Sequence, residues 1–303
     1  MIAAFAAVYT IWGSTYLAIR FAVETTPPFM MGGVRFVISG LILYIWARTH
    51  GVGKPTRLEW RNTAIVGGLL LLGGNGAVVW AEKIVPSGLT ALLVAILPFW
   101  MVLLDWARPN GKRPSIGVAI GLVVGLVGLI VLIGPAALHP NATTPSGDGV
   151  KLIGAVVLIF GSLSWAVGSI FSQNAKMPKS AIAATGMEMV TGGAMLLVAS
   201  LLFREPMHFD LAKVSARSIA GFVYLTTFGS LVGFTAYIWL LSHQPPSRVS
   251  TYAYLNPVVA VFLGWALAGE ALSLRTAVAA AIIIAAVVII TTARSSLLPP
   301  EGA

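Results

Sequence analysis

The 303-residue chain holds few groups able to do bond chemistry. It has no Cys, which removes disulfides, thiolate metal sites and a Cys nucleophile. Its four His (His50, His139, His208, His243) sit in hydrophilic connectors, so no haem or metal centre is expected among the apolar runs. HExxH, a nucleophile–base set and an acid pair are all missing from the sequence. A membrane-embedded enzyme is therefore the weakest reading, and no cofactor or metal is expected. What remains is recognition chemistry: aromatic rings, hydroxyls, amides and two mid-run prolines.

Pro98 and Pro257 fall about midway along two apolar runs. A proline inside a helix removes a backbone donor and clashes with the carbonyl four residues back, here those of Val94 and Ala253. In a bilayer a freed carbonyl must find a partner or line a watered cavity. Helical spacing puts Ala91 and Val94 on the Pro98 face, and Ser250 and Tyr254 on the Pro257 face. Trp12 and Trp165 lie about halfway along their runs, where a cavity wall is a better fit than an interface anchor. Their helical neighbours are Tyr16, and Gly168 with Ser169. Trp80 and Trp239, near run ends, read as belt residues. Asn75 is a buried amide that must be hydrogen-bonded, either to another helix or to substrate; Tyr237 lies one turn beyond its repeat counterpart, Phe234.

Two ionisable groups stand out inside the runs, Arg35 and Glu188. Intramembrane charges are functional by default. Arg35 is expected to snorkel to the interface, or to pair with Glu24 or nearby carbonyls. Glu188 is either a proton-coupling group or a structural one, bridged to a loop Lys such as Lys179. With Arg35 assigned to the interface, no cation is expected at the midplane, which argues against phosphorylated substrates. The fitting substrate is neutral or zwitterionic with an apolar side chain.

These residues need a bilayer and ten helices to hold them. The chain is 57% hydrophobic and 10% charged, whereas soluble domains carry roughly 25% charged residues. At about 20 apolar residues per crossing, ten runs can be counted: 2–21, 30–48, 60–83, 87–107, 114–133, 150–172, 181–203, 217–241, 247–268 and 273–293. The net charge of +9 lies between the runs, as topogenic loop charge rather than a nucleic-acid surface. With a cytoplasmic N-terminus the inner loops hold eleven Lys and Arg against seven outside, which favours both termini inside.

The sequence also repeats itself. At an offset of 159, Trp80, Pro86, Pro98 and Trp106 meet Trp239, Pro245, Pro257 and Trp265. At 153, Trp12, Gly33, Val37 and Gly40 meet Trp165, Gly186, Val190 and Gly193. At 160, Gly117, Gly121 and Gly125 meet Ala277, Ala281 and Ala285, a small-residue pattern that suits close helix packing. Residues 1–134 and 150–294 are thus expected to be two five-helix halves, with a loop at 135–149 and a polar tail at 295–303. Five is odd, so the second half enters the membrane from the opposite side. The expected fold is all-α and integral to the membrane, two inverted repeats around a central cavity.

Trp12-Gly13-Ser14, Val34-Arg35-Phe36, the proline of the fourth helix in each half and the Gly-Glu-Ala-Leu-Ser run at 269–273 resemble the EamA-type ten-helix members of the drug/metabolite transporter superfamily. The resemblance covers nearly the whole chain. It departs at Asn110-Gly111-Lys112, where the family often has Gly-Glu after the fourth helix. It implies a bacterial inner-membrane exporter or permease of metabolites, often amino acids. Small multidrug pumps for cations place a Glu in their first helix; the first and sixth runs here have no acid. The expectation is a monomeric exporter of neutral, aromatic or large hydrophobic amino acids, working by uniport or exchange. Efflux of lipophilic drugs is the rival.

Overall fold

The computed structural model describes residues 1–107, 114–133, 152–244, 249 and 252–295. Outside that description lie Ser250, the 135–149 loop, the Asn110-Gly111-Lys112 departure, most of the tail, and the side chain of Tyr254. The described residues contain helices and no strand. They form α1 (Ile2–Ala22), α2 (Pro28–Thr49), α3 (Arg57–Ala81), α4 in two pieces (Ser87–Val94 and Leu97–Trp106) and α5 (Ile116–Ile133). There follow α6 (Leu152–Asn174), α7 (Ala181–Leu202), α8 (Ala216–His243), α9 (Tyr252–Ala268) and α10 (Leu274–Ser295). Seven helices are long and apolar enough to span a membrane, and three shorter apolar helices lie at 116–132, 255–268 and 274–290. Together they match the ten apolar runs.

Helix starts follow capping rules. Thr56 and Glu59 form a reciprocal capping box at the start of α3. Ser180 caps α7, Ser215 caps α8, and Pro28 opens α2 at a position where its missing N–H is no loss. The two mid-run prolines behave differently. Before Pro98 the helix breaks at Ala95–Ile96, whereas Pro257 sits inside the continuous α9.

Lipid tails are as apolar as Leu, so membrane helices cohere by close packing rather than by hydrophobic burial. The α2–α7 pair shows this. A methyl built on Gly33 would stand 3.0 Å from the Gly193 carbonyl oxygen, and one on Gly193 would stand 3.0 Å from that of Gly33. Gly40 and Gly186 repeat the arrangement at 2.8 and 3.0 Å. The 153-residue offset exchanges these two contacts, carrying Gly33 to Gly186 and Gly40 to Gly193.

Helices α3 and α8 each contain a π-helical stretch, Gly68–Asn75 and Leu225–Phe234. The 159 offset superposes their C-terminal ends, Asn75 on Phe234. Such stretches are rare, and they release carbonyls from the regular ladder. Here Leu69 O accepts from Ser164 Oγ at 2.8 Å, Gly229 O from Trp12 Nε1 at 3.3 Å, and Thr226 O from Ser39 Oγ at 3.2 Å.

One end of the bundle is tied by carboxylates and hydroxyls. Glu270 of the Gly-Glu-Ala-Leu-Ser run accepts from Ser87 N at 2.7 Å, Ser87 Oγ at 2.7 Å and Gly88 N at 3.0 Å, capping α4 from the other half of the chain. Glu205 does the same for α2, through Phe29 N at 3.2 Å and Met30 N at 2.8 Å. Arg217 joins them, 3.5 Å from Glu24 and stacked on Phe21.

Helices α5 and α10 form a second close pair. A methyl on Gly121 would stand 2.6 Å from Ile290 Cγ1 and 3.1 Å from the Ala286 carbonyl oxygen. Gly121→Leu is therefore expected to lose about 1–3 kcal/mol by overpacking, seen as a lower melting temperature in detergent and poorer expression. A clean change of substrate preference at unaltered stability would count against a purely packing role.

Candidate functional site

A central cavity opens between the halves, about 740 Å³ of atom-free space with its open side included. Its wall takes Trp12, Thr15, Tyr16 and Ile19 from α1, Arg35 and Phe36 from α2, and Gly74, Asn75 and Val78 from α3. The α4 break adds Val94 and Leu97; α6 adds Gly161, Ser162 and Trp165; α8 adds Gly229 and Phe234; α9 adds Tyr252 and Asn256.

The aromatic residues form one cluster. Trp12 and Trp165, equivalent under the 153 offset, meet edge to face with centroids 5.6 Å apart and planes at 85°. Trp12 also lies 4.8 Å from Tyr237, 5.4 Å from Tyr252 and 6.1 Å from Phe234. Glycines let both indoles in: a methyl at Gly74 would stand 2.7 Å from Trp165 Cε3, and one at Gly233 2.6 Å from Trp12 Nε1. The Tyr237 hydroxyl takes the Trp165 indole N–H at 3.0 Å and lies 2.8 Å from Ser169 Oγ, which itself donates to Trp165 O at 2.7 Å. This network fixes the rotamers behind the wall.

The sequence-derived residues divide by position. Trp12, Tyr16, Asn75, Val94 and Trp165 line the cavity. Tyr237 and Ser169 are buried directly behind it. Ala91, Pro98 and Pro257 are buried and outside the wall. Instead the residue before each proline lines it, Leu97 in one half and Asn256 in the other. On α9 the wall is built by Tyr252 and Asn256, spaced by four and so on one helical face, two residues on from Ser250 and Tyr254 and so about 200° round the helix from the face assigned to them.

Arg35 departs from expectation. It neither snorkels nor meets Glu24, whose carboxylate lies beside Arg217. It is 3% exposed, lines the cavity, donates from Nη2 to Asn75 Oδ1 at 3.0 Å and covers the Phe36 ring at 4.1 Å. The expectation that no cation stands near the midplane is corrected accordingly. The depth of the Cα is legible in the residues, but the direction of a long side chain is not, and here it turns inward to the amide at the end of the α3 π stretch.

Glu188 is fully buried outside the wall, and its carboxyl oxygens have no partner. The bridge to Lys179 is not formed. The Gly33–Gly193 and Gly40–Gly186 register places Glu188 about three residues from the level of Arg35, roughly 4.5 Å along the axis at 1.5 Å per residue. A second buried carboxyl without a partner, Glu82, went unrecognised in the sequence because it adjoins Lys83 and a turn. Arg20 reaches its backbone oxygen at 3.1 Å. Among the described residues no group of His, Asp or Glu is arranged to hold a metal.

A helical frame apolar enough to span a membrane surrounds a central aromatic cavity, the architecture of a membrane transporter, and the chain's relatives agree. The chain belongs to the EamA-like transporter family, whose profile matches residues 1–134 and 152–292. It is 37% identical over 271 residues to the inner membrane transporter YedA of Escherichia coli K12, covering 88% of this chain and 82% of that protein. It is 28% identical to the transporter YoaV of Bacillus subtilis, covering 89% of each chain. A crystal structure shares the fold with a TM-score of 0.66 at 19% identity, covering 97% of this chain and 98% of the other.

Tyr237→Phe removes only the hydroxyl and is expected to destabilise the protein by about 0.5–1.5 kcal/mol, one hydrogen bond's worth. Tyr237→Ala empties the space behind the wall and should cost about 3–5 kcal/mol. Thermal denaturation in detergent compares them; a Phe variant as damaged as the Ala variant would transfer the role from ring to hydroxyl.

Proposed function

We infer that the protein exports small neutral or zwitterionic metabolites, aromatic or large hydrophobic amino acids first among them. It does so by alternating access between two inverted five-helix halves. The observation that carries this reading is the Trp12–Trp165 contact, in which symmetry-related residues of the two halves meet at the cavity they jointly build. The exchanged glycine contacts of α2 and α7 support the inverted relation. An apolar side chain lies among Trp12, Trp165, Phe234 and Tyr252, and its ammonium faces ring π-clouds and hydroxyls. The excess of Lys and Arg in the inner loops supports both termini in the cytoplasm of a bacterial inner membrane, and the chain acts as a monomer.

The rival, efflux of lipophilic drugs, uses the same aromatic walls. Counterflow in proteoliposomes separates them. Labelled phenylalanine or leucine is expected to exchange well above protein-free liposomes and to be displaced by other large neutral amino acids. Tetraphenylphosphonium should displace it poorly; efficient displacement by that cation, with no exchange among amino acids, would select the rival.

Transport proceeds by uniport or exchange, because Glu188 stands outside the cavity wall. An amide of the same shape fits its enclosed position, so Glu188→Gln should leave counterflow largely intact. Loss of pH-gradient-driven uptake in that variant with exchange preserved would show instead that Glu188 couples transport to protons.

A further inference from the structure

We propose that Arg35 and Asn75 form a carboxylate subsite, so that the transported molecule must carry one carboxylate group. The proposal rests on the transporter reading and deepens it by naming the group recognised.

Three observations converge. The Arg35 guanidinium is buried in the cavity wall, and among the described residues no acidic side chain lies within ion-pair distance of it. An isolated buried charge is strongly unfavourable unless paired. The two buried carboxyls do not serve: both oxygens of Glu188 and of Glu82 are without any partner. The counter-charge must arrive with the substrate.

The geometry of the donors specifies its kind. Nη2 of Arg35 is taken by Asn75 Oδ1 at 3.0 Å, while Nε has no partner. Accepting at Oδ1 commits Asn75 to present its amide nitrogen as a donor, and Asn75 lines the same cavity. A guanidinium edge beside an amide N–H₂ is a donor array suited to the two oxygens of a planar carboxylate. Phe36 under the guanidinium, at 4.1 Å, and the Asn75 bond hold the fork in place before any ligand arrives.

The rest of the wall sets the charge. Among the described residues Arg35 is its sole charged side chain; the others are aromatic, aliphatic, hydroxyl or amide. One cation balances one carboxylate. A phosphate dianion would leave a second negative charge unpaired in an apolar chamber, and a lipophilic cation would meet like charge. A zwitterion fits, with its carboxylate on Arg35 and Asn75 and its apolar side chain on the indoles.

The test uses the purified full-length protein in two formats, counterflow of labelled L-phenylalanine and thermal stabilisation in detergent. The probes are 3-phenylpropionate, phenethylamine and phenylphosphonate, which share the ring and differ in the charged group. 3-Phenylpropionate is expected to compete and to stabilise, with phenethylamine and phenylphosphonate weaker by about 10–100-fold, the worth of a charged hydrogen bond. Arg35→Gln should weaken 3-phenylpropionate by a similar factor, with Arg35→Lys between the two, since a point charge replaces the fork. Phenethylamine or phenylphosphonate matching or exceeding 3-phenylpropionate in the unmodified protein would overturn the proposal, and this comparison needs no variant to fold. So would an Arg35→Gln protein of normal melting temperature with unchanged affinity, or the absence of any effect of 3-phenylpropionate. Stabilisation by 3-phenylpropionate without counterflow of any amino acid would keep the subsite and reject the transport reading.

Discussion

In hydrocarbon an exposed backbone polar group has no water to turn to, and neighbouring helices gain nothing by hiding apolar side chains from lipid that is equally apolar. Cohesion then depends on how closely two backbones approach. In this protein the α2–α7 seam sets that distance, at Gly33 against Gly193 and Gly40 against Gly186. A side chain at any of the four would force the two helices apart, and with them the halves to which they belong. The α5–α10 seam, through Gly121 and Ala286, uses the same device farther from the cavity. Both seams combine long helices with small residues.

Within that frame the π-helical stretches of α3 and α8 convert symmetry into a binding surface. Each displaces carbonyls from the helical ladder, and each displaced group found is answered from a facing helix, Leu69 O by Ser164 and Gly229 O by Trp12. The backbone is duplicated, but the side chains are not. Asn75 ends one stretch and Phe234 the other; Leu97 precedes one proline and Asn256 the other. A symmetric frame therefore encloses a chemically uneven chamber. Such a chamber suits the proposed substrate, which has one polar and one apolar end.

Much of this was legible in the residues alone. The offsets of 153 and 159 identify the pairs that meet or line the cavity, and they led to Trp12, Trp165 and Asn75. Three features escaped for physical reasons. A π stretch differs from an α-helix by one residue per turn and leaves no hydrophobic signature. Counting back by three and seven from Pro257 reaches Tyr254 and Ser250, while the wall holds Tyr252 and Asn256, because the residue before the proline and not the proline itself faces the cavity. Arg35 was misplaced because a long side chain can run along the helix to water or across it to an amide. Only the position of Asn75, set by the end of the π stretch, decides between these.

The charged groups obey a division of labour that follows from their surroundings. At the end of the bundle tied by Glu205 and Glu270, each carboxylate caps backbone N–H groups that a helix start cannot satisfy by itself. Water replaces such bonds at little net loss, since a typical hydrogen bond contributes only about 0.5–1.5 kcal/mol beyond its exchange with solvent. The glycine seams have no such substitute, because parting them exposes close-packed backbone to lipid. If the cycle proposed above operates, the capped contacts are therefore the ones most easily exchanged for water, and the seams are the ones that hold the packing.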